Sequence, residues 1–261
     1  MVIRRLLYYL RSIFTLLIGI ANWPTVIAAF IGLPLRKPFR IRLRKLGYIF
    51  QVRNPMDVWI IKETCLDRDY EQVGVPVQDG WKVIDIGAGL GDFAIDAARR
   101  HPSSAVHAYE PFPESFALLQ ANLALNKTRN VTAFQEAVGA VSGVTRLDIS
   151  QIDSVRHSTM QRSTRTIEVP SVTLQEVLLR LPGAQCDLLK LDCEGAEYCI
   201  LCEASPETLR RIQRIVMEYH DNVTELSHHN LIAFLERQQF KVNCYPSRVR
   251  KDIGLLYATR G

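Results

Sequence analysis

Lys82-Val-Ile-Asp-Ile-Gly-Ala-Gly-Leu-Gly-Asp-Phe93 constrains this chain more than any other stretch. An apolar run holds Asp85, glycines follow at 87, 89 and 91, and a helix-like segment opens at Asp92. That order predicts a buried strand, a tight turn and a helix whose N–H groups face the turn. Glycine belongs there because a side chain would meet a ligand or force a strained backbone. Dinucleotide folds use G-x-G-x-x-G, whereas the spacing here is G-x-G-x-G. Ala105-Val-His-Ala-Tyr-Glu110 is a second strand-like run ending in an acid, 25 residues after Asp85. In a βαβ unit that terminal carboxylate reaches a nucleoside ribose and accepts from its two hydroxyls.

From Gly80 onward strands and helices alternate. Strands are expected at about 82–87, 105–110, 131–135, 187–191 and 214–219, and helices at about 91–100, 113–125, 173–181 and 196–204. Alternation of this kind predicts a parallel sheet covered by helices on both faces. A last helix is expected at about 224–238, followed by an antiparallel pair at 240–244 and 254–258 on one sheet edge. The polar segment 139–170 reads as an insertion, a hairpin over the active site. Upstream, 39–53 suggests one or two short strands and Met56 to Leu66 a helix.

Charge divides the chain in two. Residues 1–56 hold ten Lys or Arg and no acid, which leaves 22 of the 32 basic residues against all 27 acids in 57–261. The net charge of +5 therefore belongs to an N-terminal extension, and 57–261 reads as the catalytic domain. A nucleic-acid enzyme would more often spread basic residues around its cleft, so no nucleic-acid partner is expected. A basic, apolar segment points instead to an anionic membrane surface. Ser12 to Leu35 carries no charge, but Asn22-Trp-Pro24 interrupts it. Three readings stay open: two short helices that cap the domain or lie on a membrane, a true span, and a signal sequence. The break favours the first. The six cysteines stand at 65, 186, 193, 199, 202 and 244 without a recurring metal-type pair, which suits reduced thiols in the cytoplasm.

Taken together the motifs resemble the FkbM family of methyltransferases. The matching pieces are Val83 to Gly91, Tyr109-Glu-Pro-Phe-Pro-Glu-Ser-Phe116, Asn122-Leu-Ala-Leu-Asn126, Glu136-Ala-Val-Gly139 and Asp187-Leu-Leu-Lys-Leu-Asp-Cys-Glu-Gly-Ala-Glu197. The resemblance implies a class I methyltransferase fold: a Rossmann-like α/β sheet of seven strands, mostly parallel, with an antiparallel C-terminal hairpin. It further implies S-adenosylmethionine as cofactor, and O-methylation of a hydroxyl on a sugar, polyketide or related small molecule. On that basis Asp85, Gly87, Ala88, Gly89, Gly91, Glu110, Pro111, Glu136, Ala137 and Asp192 are the expected cofactor residues. Glu110 would take the ribose and Glu136 the adenine amino group.

Asp192, Glu194 and Glu197 fall at the carboxyl end of a strand, where α/β sheets bind ligands. Asp192, Glu218 and His220 are candidates to take the proton of an attacking hydroxyl. Glu194 and Glu197 are candidates for the acceptor, although capping of the next helix would also explain them. No metal is expected; Asp192 with Asp221-Asn222 would be the alternative that uses one. Two other functions compete. A nicotinamide-dependent oxidoreductase is disfavoured by the glycine spacing and the lack of a Tyr-x-x-x-Lys pair. A non-catalytic, membrane-associated adaptor is disfavoured because it would not need this set of glycines and acids.

Overall fold

The computed structural model describes residues 2–148, 166–221, 223–247 and 250–260. The chain opens with α1 (Val2–Gly19) and α2 (Trp23–Phe30), then β1 (Phe39–Arg42), β2 (Ile49–Val52) and α3 (Pro55–Ile61). A π-helical turn, Lys62–Asp67, follows and runs into α4 (Asp69–Val73). Next come β3 (Lys82–Ile86), α5 (Asp92–Arg100), β4 (Ala105–Tyr109), α6 (Pro113–Asn126), β5 (Val131–Phe134), β6 (Ala137–Gly139), β7 (Gly143–Asp148) and β8 (Thr166–Thr173). The remainder is α7 (Leu174–Leu179), β9 (Leu188–Leu191), α8 (Glu197–Cys202), α9 (Pro206–Leu209), β10 (Arg214–His220), α10 (His228–Arg237), β11 (Lys241–Pro246) and β12 (Ile253–Thr259).

Seven strands form the main sheet in the order β11-β12-β10-β9-β3-β4-β5. Only β12 runs against its neighbours, and it inserts between β10 and β11. The expected C-terminal hairpin is therefore present, with its second strand, not its first, paired to β10. The central strands are buried throughout: every residue of β9 is enclosed, and β3 is open only at Lys82. That is the pattern of strands covered on both faces.

Register decides where the site lies. Ile86 of β3 stands opposite Tyr109 of β4 and Leu191 of β9, and Leu191 stands opposite Met217 of β10. Gly87, Glu110, Asp192 and Glu218 are each the next residue along. All four therefore sit at one carboxyl edge of the sheet, where the chain reverses its winding direction between β3 and β9.

Some boundaries differ from the sequence reading. α10 begins at His228 rather than near 224, because Ser227 and Asn230 form a capping box that fixes the start. The segment 139–170 builds a second sheet, β6-β8-β7, in which β7 and β8 are antiparallel and β6 is parallel to β8. β7 and β8 supply the antiparallel pair expected of the insertion, and 149–165 lie outside the described residues.

The N-terminal extension shares a core with the sheet domain. Leu16, Ile20, Val26, Ile41, Leu43 and Phe50 pack in one cluster with Leu90, Ile95 and Leu118. Polar bonds reinforce that seam. Asn122 and Asn126 of α6 each accept from and donate to the backbone of β2, at Gln51 and Ile49. The interruption at Asn22 also has a structural cause. The Asn22 amide donates to Arg40 O and accepts from Arg42 N, so it clamps the edge of β1. No described helix is long and apolar enough to cross a membrane.

Candidate active site

The three turn glycines do different work, which an added side chain reveals. A Cβ on Gly87 would lie 1.8 Å from the Asp192 carbonyl, so this glycine lets the turn press against the end of β9. A Cβ on Gly91 would meet Leu119 at 2.5 Å, so this one seats α5 on α6. A Cβ on Gly89 would meet nothing within 4 Å. All three have positive φ, but only at Gly89 does backbone face open space of the kind a ligand would fill.

Glu110 closes one side of that space. Its carboxylate accepts from Gly89 N at 2.8 Å and from Phe112 N at 2.9 Å. Burial pushes its pKa up to about 7, against the downward pull of those two N–H groups. A carboxylate offers about four acceptor positions, so two remain for hydroxyl donors. Ala88 is buried behind the turn and Pro111 is half-buried after Glu110. Ala137 is buried at the start of β6. Glu136 stands apart: Arg180 grips its two oxygens at 2.5 and 3.3 Å, and the Arg180 guanidinium lies 4.8 Å over the Phe134 ring.

Asp85 is fully buried on β3. It pairs with Lys190 of β9, its register partner, at 3.0 Å. Both are buried, and the Lys190 ammonium also donates to Gly87 O at 2.9 Å. Burial pulls the Lys190 pKa down, but Asp85, Asp192 and Asp92 outweigh it, so the lysine stays charged. The pair therefore fixes the glycine turn from beneath. Lys190 was given no role in the sequence reading, although a lysine inside Leu188-Leu-Lys-Leu191 is costly without a partner and so announces one.

Asp192 lies at the mouth of the same edge. Its carboxylate accepts from the Tyr70 hydroxyl at 2.8 Å. One donor atom each from Asp192, Glu218 and His220 come within 4.8 Å of one another. Glu218 and His220 reach this point because alternate residues of β10 share a face. Burial and the Asp192 charge push Glu218 up to about 8. Burial opposes charge on His220, yet Glu197, Glu194 and Asp192 together raise it to about 9. Three expected catalytic residues are thus one electrostatic unit, crowded with negative charge.

Glu197 and Glu194, both expected at the acceptor, separate. Glu197 is fully buried; its oxygens accept from Cys193 N at 2.7 Å and Gly195 N at 2.8 Å, and one lies 3.4 Å from His220 Nδ1. Its carboxylate ties the Cys193–Gly195 loop together and stands beside the imidazole as a charge partner, so its oxygens are engaged within the fold. Glu194 is exposed in a left-handed backbone conformation, 3.5 Å from His220 Nε2. Asp221 turns away to Tyr198 and His228, and Asn222 lies outside the described residues. Tyr70, which carries no signal in the sequence, enters through α4.

This sheet order, with one reversed strand and a glycine turn facing an acid on the next strand, defines a class I methyltransferase architecture. The profile described as Methyltransferase FkbM domain matches residues 85–242, and the chain belongs to that family. Over 197 residues it is 27% identical to the 31-O-demethyl-FK506 methyltransferase FkbM of Streptomyces tacrolimicus, covering 62% of this chain and 74% of that one. Methyltransferase 1 of Beauveria bassiana (strain ARSEF 2860) is 26% identical over 185 residues, covering 63% and 74%. Among solved structures, Methyltransferase FkbM from Methylobacillus flagellatus KT superposes with a TM-score of 0.47 at 13% identity, over 78% of this chain and 54% of that one. Magnesium protoporphyrin IX methyltransferase from Synechocystis PCC 6803, with bound SAM, gives 0.47 at 11% identity over 92% of each.

Proposed function

We propose that this protein is an S-adenosylmethionine-dependent O-methyltransferase acting on a hydroxyl of a small molecule, of the sugar or polyketide class. One observation carries the reading: the open backbone at Gly89 and the buried Glu110 share a sheet edge with the cluster of Asp192, Glu218 and His220. Gly89 and Glu110 would hold the ribose and methionine end of the cofactor, with Glu136 and Ala137 toward the adenine. Bound S-adenosylmethionine supplies an electrophilic methyl group and leaves as S-adenosylhomocysteine.

The chain's own residues handle the acceptor and its proton. As the hydroxyl oxygen forms its bond to carbon, its proton must leave. Burial and the Asp192 charge raise Glu218 to about 8, and the surrounding carboxylates raise His220 to about 9, which disfavours both as the base. Asp192 takes that role, with Tyr70 fixing its orientation. His220 compensates the surrounding carboxylates, and Glu197 holds its ring. The relative named for 31-O-demethyl-FK506 favours an oxygen nucleophile on a polyketide. The free state of all six cysteines fits a cytoplasmic enzyme.

The test is transfer of labelled methyl from S-adenosylmethionine to a panel of hydroxylated sugars and macrolides, with product mass and bond analysis. A product methylated on oxygen supports the reading. Methylation on nitrogen or carbon would overturn the O-methyl assignment while leaving the cofactor in place.

A further inference from the structure

α1 is apolar on two opposite sides, and only one of them is covered. Ser12 and Leu16 are buried, and Ser12 Oγ accepts from the buried Lys62 ammonium at 2.8 Å. Leu7, Leu10, Phe14 and Ile18 recur at three- and four-residue steps on the opposite side, and all are exposed, Phe14 by 64%. α2 repeats the arrangement: Val26 is buried, while Trp23, Ile27 and Phe30 are exposed, followed by Ile31 and Leu33. Apolar surface concentrated in this way marks an interaction site.

Seven exposed cations lie on α1 or in the segment that follows α2. Arg11, Arg36, Lys37, Arg40, Arg42, Arg44 and Lys45 are all exposed, and none makes an ion pair with a described residue. Arg40 and Arg42 point outward from β1 because Phe39 and Ile41 alternate inward. The Arg44 guanidinium donates to Ile18 O and Ile20 O, which places a cation at the end of the α1 stripe. No Asp or Glu occurs in residues 1–56, and of the seven Arg11 lies near enough to Asp69 of α4 for their charges to act on one another.

We propose that the α1–α2 face is a docking surface for an anionic lipid bilayer, with the apolar stripe entering the headgroup boundary and the cations meeting lipid charge. The charge decides between occupants. A second copy of this chain docking face to face would oppose seven cations with seven more, which complementarity disfavours. A nucleic acid would leave the apolar stripe uncovered. Insertion as a span is excluded by helix length and apolarity, and by the bonds from Lys62 and Asn22 that hold the segment to the domain. Trp23 suits interfacial depth.

Flotation of the full chain with unilamellar vesicles tests this. Phosphatidylcholine containing phosphatidylserine should carry the protein, and pure phosphatidylcholine should not. R40E with R42E should lower the apparent affinity on the order of a hundredfold, and high salt should weaken binding. Phe14→Glu should lower it on the order of tenfold, through the lost apolar burial and the added like charge toward the lipid. Circular dichroism and binding of S-adenosylhomocysteine verify that each variant is folded. The proposal is overturned by failure to float with anionic vesicles, or by equal binding to neutral ones. A dimer in sedimentation that Phe14→Glu dissociates would likewise overturn it, assigning the face to a second copy.

Discussion

The two ends of the site solve opposite electrostatic problems. At the glycine turn each charge has its answer within the fold: Asp85 with Lys190, Glu110 with two backbone N–H groups. At the edge of β9 and β10, Asp192, Glu218, Glu194 and Glu197 surround a single histidine, and the result is two protons held beyond their ordinary pH range. The first end is a preformed cradle. The second gathers carboxylates that hold protons on Glu218 and His220 past their ordinary range. A turn whose charges are matched one to one thus borders an edge where four carboxylates crowd one histidine.

The largest expected effect comes from Asp192→Asn. Turnover should fall by about 10²–10⁴-fold, the usual worth of a positioned base, while S-adenosylhomocysteine affinity changes little. Turnover at the parent rate would remove Asp192 from the chemistry. On the cradle side, Lys190→Met should destabilise the fold by about 3–5 kcal/mol, because Asp85 would be left buried without its partner. Adding Asp85→Asn should recover part of that loss. Denaturant unfolding reads both variants; equal stability of the single variant and the parent would show that the ion pair is not what secures the turn.

Glu110→Ala should weaken S-adenosylhomocysteine binding by about 1.5–3 kcal/mol, as for lost hydrogen bonds to a charged acceptor. The glycines sharpen the contrast further. Gly87→Ala strikes the Asp192 carbonyl and should lower the melting temperature. Gly89→Val meets no protein atom in its first carbon, so its loss should be in ligand affinity, with a smaller backbone cost from its positive φ.

A smaller effect should appear in pH dependence. Glu218 and His220 both have folded pKa values above their ordinary ones, so the folded state holds extra protons. Their contribution to stability is complete below about pH 4.5 for Glu218 and about 6.5 for His220, and is lost as pH rises through about 8 and about 9. The melting temperature of the ligand-free protein should therefore decline across that window. Asp192→Asn should flatten the decline, because the Asp192 charge raises both groups.

The fold was legible because its determinants are local. Buried runs of four or five residues, a glycine turn and strand-end acids place β3, β4, β9 and β10 without knowledge of their neighbours. Register then carried Gly87, Glu110, Asp192 and Glu218 to one edge. What was hidden depends on contacts distant in sequence. The Tyr70 hydroxyl meets Asp192 across 122 positions, and Arg180 meets Glu136 across 44. For Glu197 the sequence left acceptor binding and service to the local backbone both open; its burial and its two bonds to loop N–H groups, which favour the second, depend on the folded loop. The uncovered side of α1 was equally beyond reach, since a helix apolar on two sides does not declare which of them packs.

Titration calorimetry with S-adenosylhomocysteine and with NAD tests the central claim most directly. Saturable binding of S-adenosylhomocysteine to the parent is expected, with binding near parent strength to Asp192→Asn, strongly reduced binding to folded Gly89→Val and Glu110→Ala, and no heat from NAD. Binding of NAD, or S-adenosylhomocysteine affinity that survives both cradle substitutions, would contradict it.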